Sequence, residues 1–258
     1  MATPEDKHTT ETITHLRRWT DTLISFRLTR PAGFRFTAGQ FARLGLQTET
    51  GEAVWRAYSM VSAVWEEYLE FFSIVVPNGA FTSRLCRKTE GDTLWLDKTA
   101  TGFFTLNRFP DGRDLWLLAT GTGLAPYLSI LQDPDVWSRF EHIVLVHSVR
   151  HTAELAYREE IAALPQHPLW AEHGHKFRYL PVVTREPAAG RLSARIPQLL
   201  ASHALEEAAG LALSPAHSRL MLCGNPQMVE DTHRQLKEMG YRLSRLSAPA
   251  QLAVENGW

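Results

Sequence analysis

The chain changes rhythm near residues 107–113, and that change limits the folds open to it more than any other feature. Up to about Leu106 the sequence is a series of short β-rich runs: LISFRLTR, FARLGLQ, VWRAYSMV, YLEFFSIVV and TLWLD. Turns containing Gly, Pro, Asn or Asp, such as PAG, TETGE, VPNG and TEGD, separate several of them. Short strands with such turn signals predict an antiparallel barrel or sandwich. After the polar linker NRFPDGR, the strand-like runs DLWLLAT, HIVLVHSVR, KFRYLPVVTRE and RLMLCG each lead into a helical segment. In the last segment Met228, Thr232, Gln235, Leu236 and Met239 fall near helical spacing, and Gly240 stands where a helix would stop. Alternating strands and helices predict a mostly parallel sheet covered on both faces. Two domains are expected: residues 1–108, an antiparallel β-barrel, and residues 109–258, a Rossmann-like α/β domain that suits a nucleotide. The stretch from Pro165 to His175 reads as a loop.

Composition then removes whole classes of function. Of 258 residues, 44% are hydrophobic and 21% charged, and the formal net charge is −1 with eleven histidines counted neutral. Nothing global favours nucleic acid or an anionic membrane as partner. The start MATPEDKHTTET is polar and acidic where a secretory signal needs a basic start and an apolar run, so a cytoplasmic protein is expected. The long uncharged segment 115–132 is interrupted by Gly-Thr-Gly and a proline, and reads as strand, turn and helix rather than a membrane span. Cys86 and Cys223 are the only cysteines, and neither lies in a C-x-x-C pair. No metal or iron–sulfur site is expected, so redox chemistry needs a bound organic cofactor.

In ATGTGLAP, Gly121 and Gly123 follow a strand and open a helix, an arrangement that lets backbone N–H groups face an anion such as pyrophosphate. Pro126 stands where a full G-x-G-x-x-G would have its last glycine, and a tight turn with no ligand is the plainer reading. Arg150 and Arg185 lie at or beyond the ends of successive strands, with Thr184 before the second and Arg195 ten residues after it. Ligands of open α/β sheets lie at that edge, where guanidinium groups can clamp the 2′-phosphate that distinguishes NADP from NAD. Solvated surface arginines are the alternative. Cys223 ends the next strand, as a ligand-edge thiol or an inert buried one. Asn225 can cap the following helix, which carries Asp231, and contact a ligand at once.

In an extended WRAYSM, Arg56 and Tyr58 share one side while Ala57 and Ser59 share the other. If the second half binds a nicotinamide dinucleotide, the first half should hold the hydride acceptor, and a flavin fits these residues. Arg56 would pair with its pyrophosphate, Tyr58 would pack on the isoalloxazine, and Ser59 would bond near the hydride-accepting nitrogen. A snorkelling arginine on an edge strand is the competing reading.

RAYS at 56–59, VPNGAFTSRL at 76–85, ATGTGLAPYLSIL at 119–131, VVTRE at 182–186, LCGNPQM at 222–228 and a C-terminal aromatic together resemble the bacterial ferredoxin (flavodoxin)–NADP reductases. The resemblance holds over nearly the whole chain. It implies an FAD-binding Greek-key antiparallel β-barrel followed by an NADP-binding α/β domain. It also implies FAD contacts from Arg56, Ala57, Tyr58, Ser59, Ser73, Ile74, Val75, Ala80, Phe81, Thr82, Ser83 and Thr122. Gly121, Gly123, Arg150, Thr184, Arg185, Arg195, Asn225, Pro226, Gln227 and Asp231 match NADP-binding positions, and Cys223 matches the cysteine near the nicotinamide. In relatives that end similarly a terminal tryptophan stacks on the FAD adenine, which carries over to Trp258, although Gly257 replaces a bulky aromatic found in several of them. Glu255 resembles a carboxylate that supports the flavin site or its proton supply, with hydration of an exposed tail as the alternative.

The implied reaction takes a hydride from NADPH onto FAD and passes single electrons to ferredoxin or flavodoxin, with Ser59, Cys223 and Glu255 at the reacting centre. Such carriers are acidic, and Arg84, Arg87 and Lys88 in SRLCRK form a candidate docking patch on an expected monomer. The rivals are an NADPH-dependent flavin reductase or diaphorase and a redox-sensing nucleotide-binding module that does not turn over.

Overall fold

A computed structural model describes residues 7–187 and 189–257. Six strands, β1 (His8–Thr20), β2 (Leu23–Thr29), β3 (Phe41–Gln47), β4 (Ala53–Ser59), β5 (Tyr68–Ile74) and β6 (Thr93–Asp97), form one antiparallel sheet of order β4-β3-β6-β1-β2-β5. A short helix, α1 (Thr82–Leu85), follows β5. The sheet curls because one face is apolar: Ile13, Ile24, Phe26, Leu28, Leu44, Leu69, Phe71, Leu94 and Leu96 turn inward to a shared core. Its two end strands meet through an antiparallel bridge between Met60 and Phe71, next to the Val61 N–H donating to the Glu70 carbonyl at 2.8 Å. Among the described residues no ladder joins β4 to β5 beyond that bridge. The barrel is therefore left open between β4 and β5, where the Tyr58 hydroxyl lies 3.2 Å from Ser73 Oγ.

Five of these strands match the β-rich runs read from sequence, whereas β1 is absent from that reading. Its run HTTETITHLRRWT has no clean alternation of apolar residues because the strand serves two ladders. Residues His8–Thr12 pair with β6, while Ile13–Thr20 pair with β2 and shift register after Ile13. Inward-facing Glu11 is buried by accepting a hydrogen bond from the Thr29 hydroxyl.

The second half has five parallel strands, β7 (Asp114–Thr120), β8 (His142–Val149), β9 (Phe177–Val183), β10 (Ser218–Gly224) and β11 (Leu252–Asn256), in the order β11-β10-β7-β8-β9. The helices α2 (Ala125–Leu131), α3 (Pro134–Arg139), α4 (Arg158–Ala163), α5 (Ile196–Ala201), α6 (Ala204–Ala209) and α7 (Pro226–Glu238) accompany it. Alternate strand residues serve opposite faces. Leu115, Leu117 and Leu145 pack with Leu128, Trp137 and Phe140, while Trp116, Leu118 and Val144 pack with Leu199, Met228 and Leu236. Burial on both faces explains why these strands read as continuous apolar runs. Residues 165–175 are not a featureless loop: they form 3-10 turns around buried Trp170, whose ring stacks on Trp137 at 5.5 Å. No helix among the described residues is long and apolar enough to cross a membrane.

The halves are joined by buried polar contacts. Ser129 Oγ donates to the Ser62 carbonyl at 2.8 Å, and the Tyr157 hydroxyl donates to Glu70 Oε1 at 2.8 Å while Arg27 Nε holds Oε2 at 2.8 Å. These contacts fix the angle of the seam that forms the site.

Candidate active site at the domain seam

A cleft of about 500 Å³ opens where the edge of β4 turned away from β3 faces the carboxyl edge of the parallel sheet. The barrel contributes Arg56, Ala57, Tyr58, Ser59, Ser73, Ile74 and residues 79–82, and the second half contributes Thr122, Gly123, Cys223, Glu255 and Gly257. The alternation expected for WRAYSM sets what each side chain touches without separating them into two sites. Tyr58 turns to the barrel core, 5.6 Å from the Phe81 ring and edge-on to Phe26 at 6.2 Å, while Ser59 turns to the other domain. The cleft runs along the open strand, so both sides border it.

Burial pushes the Tyr58 phenol up to about 12, so it stays a neutral hydroxyl beside Ser73. Exposed Arg56 donates through one nitrogen to the Trp55 carbonyl at 2.8 Å, which leaves most of its planar fork for an anion. In the turn after β5, Thr82 Oγ1 accepts from the Val76 N–H at 3.0 Å and Ser83 Oγ donates to the Gly79 carbonyl at 2.6 Å. Phe81 is buried in the barrel core, and Val75 packs against the same core. Val75 and Ser83 thus shape the turn from behind, outside the residues that line the cleft.

On the opposite wall Ser59 Oγ donates to Glu255 Oε2 at 3.3 Å. Glu255 is not a solvated tail residue: β11 pairs with β10 in parallel register, Cys223 opposite Glu255. Burial raises its carboxyl to about 7, against the smaller opposing effect of the Ser59 hydrogen bond. Cys223 is 2% exposed, and burial, reinforced by Glu255, drives its thiol well above its usual range. It is a neutral wall and not a thiolate nucleophile.

Gly123 of the β7 loop serves a close backbone-to-backbone contact. Residues Gly121–Leu124 form a 3-10 turn, and a Cβ on Gly123 would lie 2.4 Å from the Cys223 carbonyl oxygen. Gly224, at φ +134°, leaves room for Thr120, whose Oγ1 accepts from the Asn225 N–H at 2.8 Å. Thr122 and Gly123 line the barrel-side cleft, so the loop faces the same space as Tyr58.

The remaining expected nucleotide contacts cluster at the carboxyl ends of β8, β9 and β10. The Arg185 N–H donates to the Arg150 carbonyl at 2.9 Å and the Thr184 N–H to the Val149 carbonyl at 2.9 Å, which brings the two exposed arginines side by side. Glu186 secures this corner by accepting from Thr152 N at 3.0 Å, Thr152 Oγ1 at 2.6 Å and His151 Nδ1 at 2.9 Å; these bonds hold its carboxyl down to about 2. Arg195 begins α5 at the surface. Asn225 caps α7 by accepting from the Gln227 and Met228 N–H groups at 3.0 and 3.2 Å, with Pro226 in the first turn. Asp231 is engaged on its own helix by Gln227 and Arg234. In the basic run, Arg84 is paired with Glu49 and donates to the Ala80 carbonyl at 2.6 Å, so exposed Arg87 and neighbouring Lys88 carry more of the uncompensated charge. The expected contact from Trp258 lies outside the described residues.

Sequence reasoning missed Phe41, Phe72, Val76, Gly79, Ala125 and Asn256 as lining residues. Val76 and Gly79 had a local signal, the turn around Asn78, whereas the others enter through strand pairing and domain docking.

An open antiparallel barrel joined along such a cleft to a parallel α/β domain defines a two-domain oxidoreductase, and the family model for the oxidoreductase NAD-binding domain matches residues 117–234. The chain is 42% identical over 253 residues to the ferredoxin–NADP reductase of Pseudomonas aeruginosa, covering 96% of this chain and 97% of that one. It is 43% identical over 220 residues to the flavodoxin/ferredoxin–NADP reductase of Escherichia coli strain K12, covering 85% and 86%. A crystal structure of a ferredoxin NADP+ reductase from Neisseria gonorrhoeae with bound FAD and NADP superposes with a TM-score of 0.91 at 43% identity, covering 98% of this chain and 99% of that one. The chain belongs to the bacterial ferredoxin/flavodoxin–NADP reductase family.

Proposed function

We propose that this chain is an FAD-dependent reductase that moves electrons between NADPH and the one-electron carriers ferredoxin or flavodoxin. The observation that carries the reading is the convergence of Tyr58, Ser59, Cys223 and Glu255 on one seam cleft. Its donor set fits a flavin dinucleotide: a flat apolar wall at Tyr58, a largely free guanidinium at Arg56, and a turn at residues 79–82 whose own side chains are held back. Bound there, FAD supplies the chemistry that converts a two-electron hydride into single-electron steps.

The chain's residues bind and orient. Arg56 grips the pyrophosphate, Tyr58 with Ser73 packs against the ring system, and Ala57, Ile74, Ala80, Phe81, Thr82 and Thr122 complete the enclosure. Val75 and Ser83 support it from behind. The adjacent Arg150 and Arg185, with Thr184 and Arg195, recognise the 2′-phosphate, while Gly121, Gly123, Asn225, Pro226, Gln227 and Asp231 shape the rest of the nucleotide edge. Cys223 closes the nicotinamide side as a neutral thiol. Glu255 holds or releases a proton near neutral pH and passes it through Ser59 Oγ. In this reading residues 1–108 are the FAD half and 109–258 the NADP half of a cytoplasmic monomer, Trp258 covers the FAD adenine, and carriers dock near Arg84, Arg87 and Lys88.

The test is an absorption spectrum of the purified protein followed by anaerobic NADPH. A yellow protein that bleaches, releases FAD on denaturation and then reduces ferredoxin or flavodoxin supports the proposal. Failure to release or take up FAD defeats it, and rapid reduction of free flavin with no carrier reduced points to a flavin reductase.

A further inference from the structure

His147 is the sixth of the eight residues of β8 and is fully buried, between Val146 and Ser148. The parallel registers place it in one cross-strand row with the reacting centre: His147 pairs with Ala119, Ala119 with Cys223, and Cys223 with Glu255. Its Nε2 lies 3.1 Å from the carbonyl oxygen of Gly121, 26 residues away, and its Nδ1 is buried without a hydrogen-bond partner among the described residues. A carbonyl only accepts, so the ring proton must sit on Nε2 and leave Nδ1 a bare buried acceptor. Burial keeps the imidazole neutral by lowering its pKa to about 4. A leucine here would avoid the cost of an orphaned nitrogen, so the histidine must do something that an apolar side chain does not.

We propose that His147 is a positioning residue whose Nε2–H anchors the Gly121 carbonyl and so holds residues Thr122 and Gly123 in register between the cleft and Cys223. The loop is gripped from both sides. On the β8 side its anchor is the imidazole; on the β10 side Thr120 Oγ1 accepts from the Asn225 N–H at 2.8 Å, and Gly123 lies against the Cys223 carbonyl with no space for a Cβ. Gly121 holds φ at +53°, a conformation in which its carbonyl can turn back to β8. Without the imidazole the loop loses its side-chain hold on β8 while its Thr120–Asn225 hold on the β10 side remains, and it shifts relative to Ser59 and Tyr58. The row then acts as a ruler that sets the distance from the barrel wall to Cys223. Ala119, the small residue between the two grips, leaves the loop room to lie over the sheet. The activity arm of the inference rests on the seam cleft being the flavin site; the anchor itself does not.

The test compares His147→Gln, whose side-chain amide reaches about as far as Nε2, with His147→Asn, equally polar but too short. In the holoenzyme with NADPH and ferricyanide, Asn is expected to lower kcat about five- to tenfold with KM within about twofold, and Gln to stay within about twofold in both. Amide exchange at Thr122 and Gly123, measured without turnover, should be about tenfold faster in Asn than in Gln. Long-range nitrogen–proton spectra of the unmutated chain should show the His147 proton on Nε2. A proton on Nδ1, or Asn and Gln alike in both exchange and kcat, overturns the proposal. If Asn yields no folded protein, the ring-proton position decides alone. A chain that proves to hold no flavin refutes the reading of the cleft and leaves the spectra and exchange to judge the anchor.

Discussion

Ser59 on β4 and Glu255 on β11 stand 196 residues apart in the chain, and the serine hydroxyl donates to the carboxylate at 3.3 Å across the seam between the halves. The contact makes the protonation of one domain's last strand depend on the position of the other domain's open strand.

Glu255→Gln tests that coupling. The carboxyl's folded pKa is raised to about 7 by burial, so the folded chain holds a proton that the unfolded chain releases nearer 4.5. The wild type should therefore lose stability as pH climbs from about 4.5 through 7, whereas the glutamine variant should lack this component. Melting curves should show the variant gaining on the wild type between pH 5 and 8, and a constant difference would contradict the assigned burial. In the rate of NADPH oxidation, an inflection near pH 7 should be present in wild type and absent in the variant.

Arg185→Ala should raise the Michaelis constant for NADPH by roughly 10- to 100-fold, the loss of one charge-assisted contact, while that for NADH changes by about twofold or less. Parallel loss with both nucleotides would remove the arginine from 2′-phosphate recognition.

Tyr157→Phe removes the hydroxyl that Glu70 accepts inside the seam. The cost should be about 1–3 kcal/mol, since a buried carboxylate oxygen loses its donor, and the melting temperature should fall by roughly 2–4 °C per kcal/mol. Calorimetry checks both the size and whether the halves still unfold in one transition.

Carrier reduction should slow as ionic strength rises from low to physiological values, and ferricyanide reduction should show no matching slowdown. The double change Arg87→Ala and Lys88→Ala should flatten the carrier's salt dependence. Arg84→Ala should do less because Glu49 already neutralises that arginine. Equal effects from both would argue against a patch centred on Arg87.

Much of the architecture is legible in the chain because its signals are local. LISFRLTR and YLEFFSIVV turn alternate residues, Ile24, Phe26 and Leu28 and then Leu69 and Phe71, into the barrel core, and DLWLLAT is apolar throughout because both faces of β7 are covered. Asn225 could be read as a cap from its place before Pro226. What escaped depends on partners distant in sequence. β1 divides its length between two ladders, which blurs its period, and β11 is five residues whose strand character comes from β10. Ser59 and Tyr58 could be proposed from the order of motifs, but Glu255 takes its raised carboxyl pKa from burial that no nearby residue announces. His147 stayed hidden because HIVLVHSVR reads as a buried strand, and its bond goes to a carbonyl, a group every residue has. Gly123 could be read as a point of close backbone approach, but the backbone it meets, the Cys223 carbonyl, could not.

The gap between β4 and β5 has a cost beyond catalysis. Stopping the ladder at Met60 and Phe71 leaves the edge of β4 that faces away from β3 without a neighbouring strand among the described residues, and such margins recruit other chains. The redox group would then double as a plug that keeps molecules from zipping together, so flavin starvation should deplete this protein by clumping before it limits turnover.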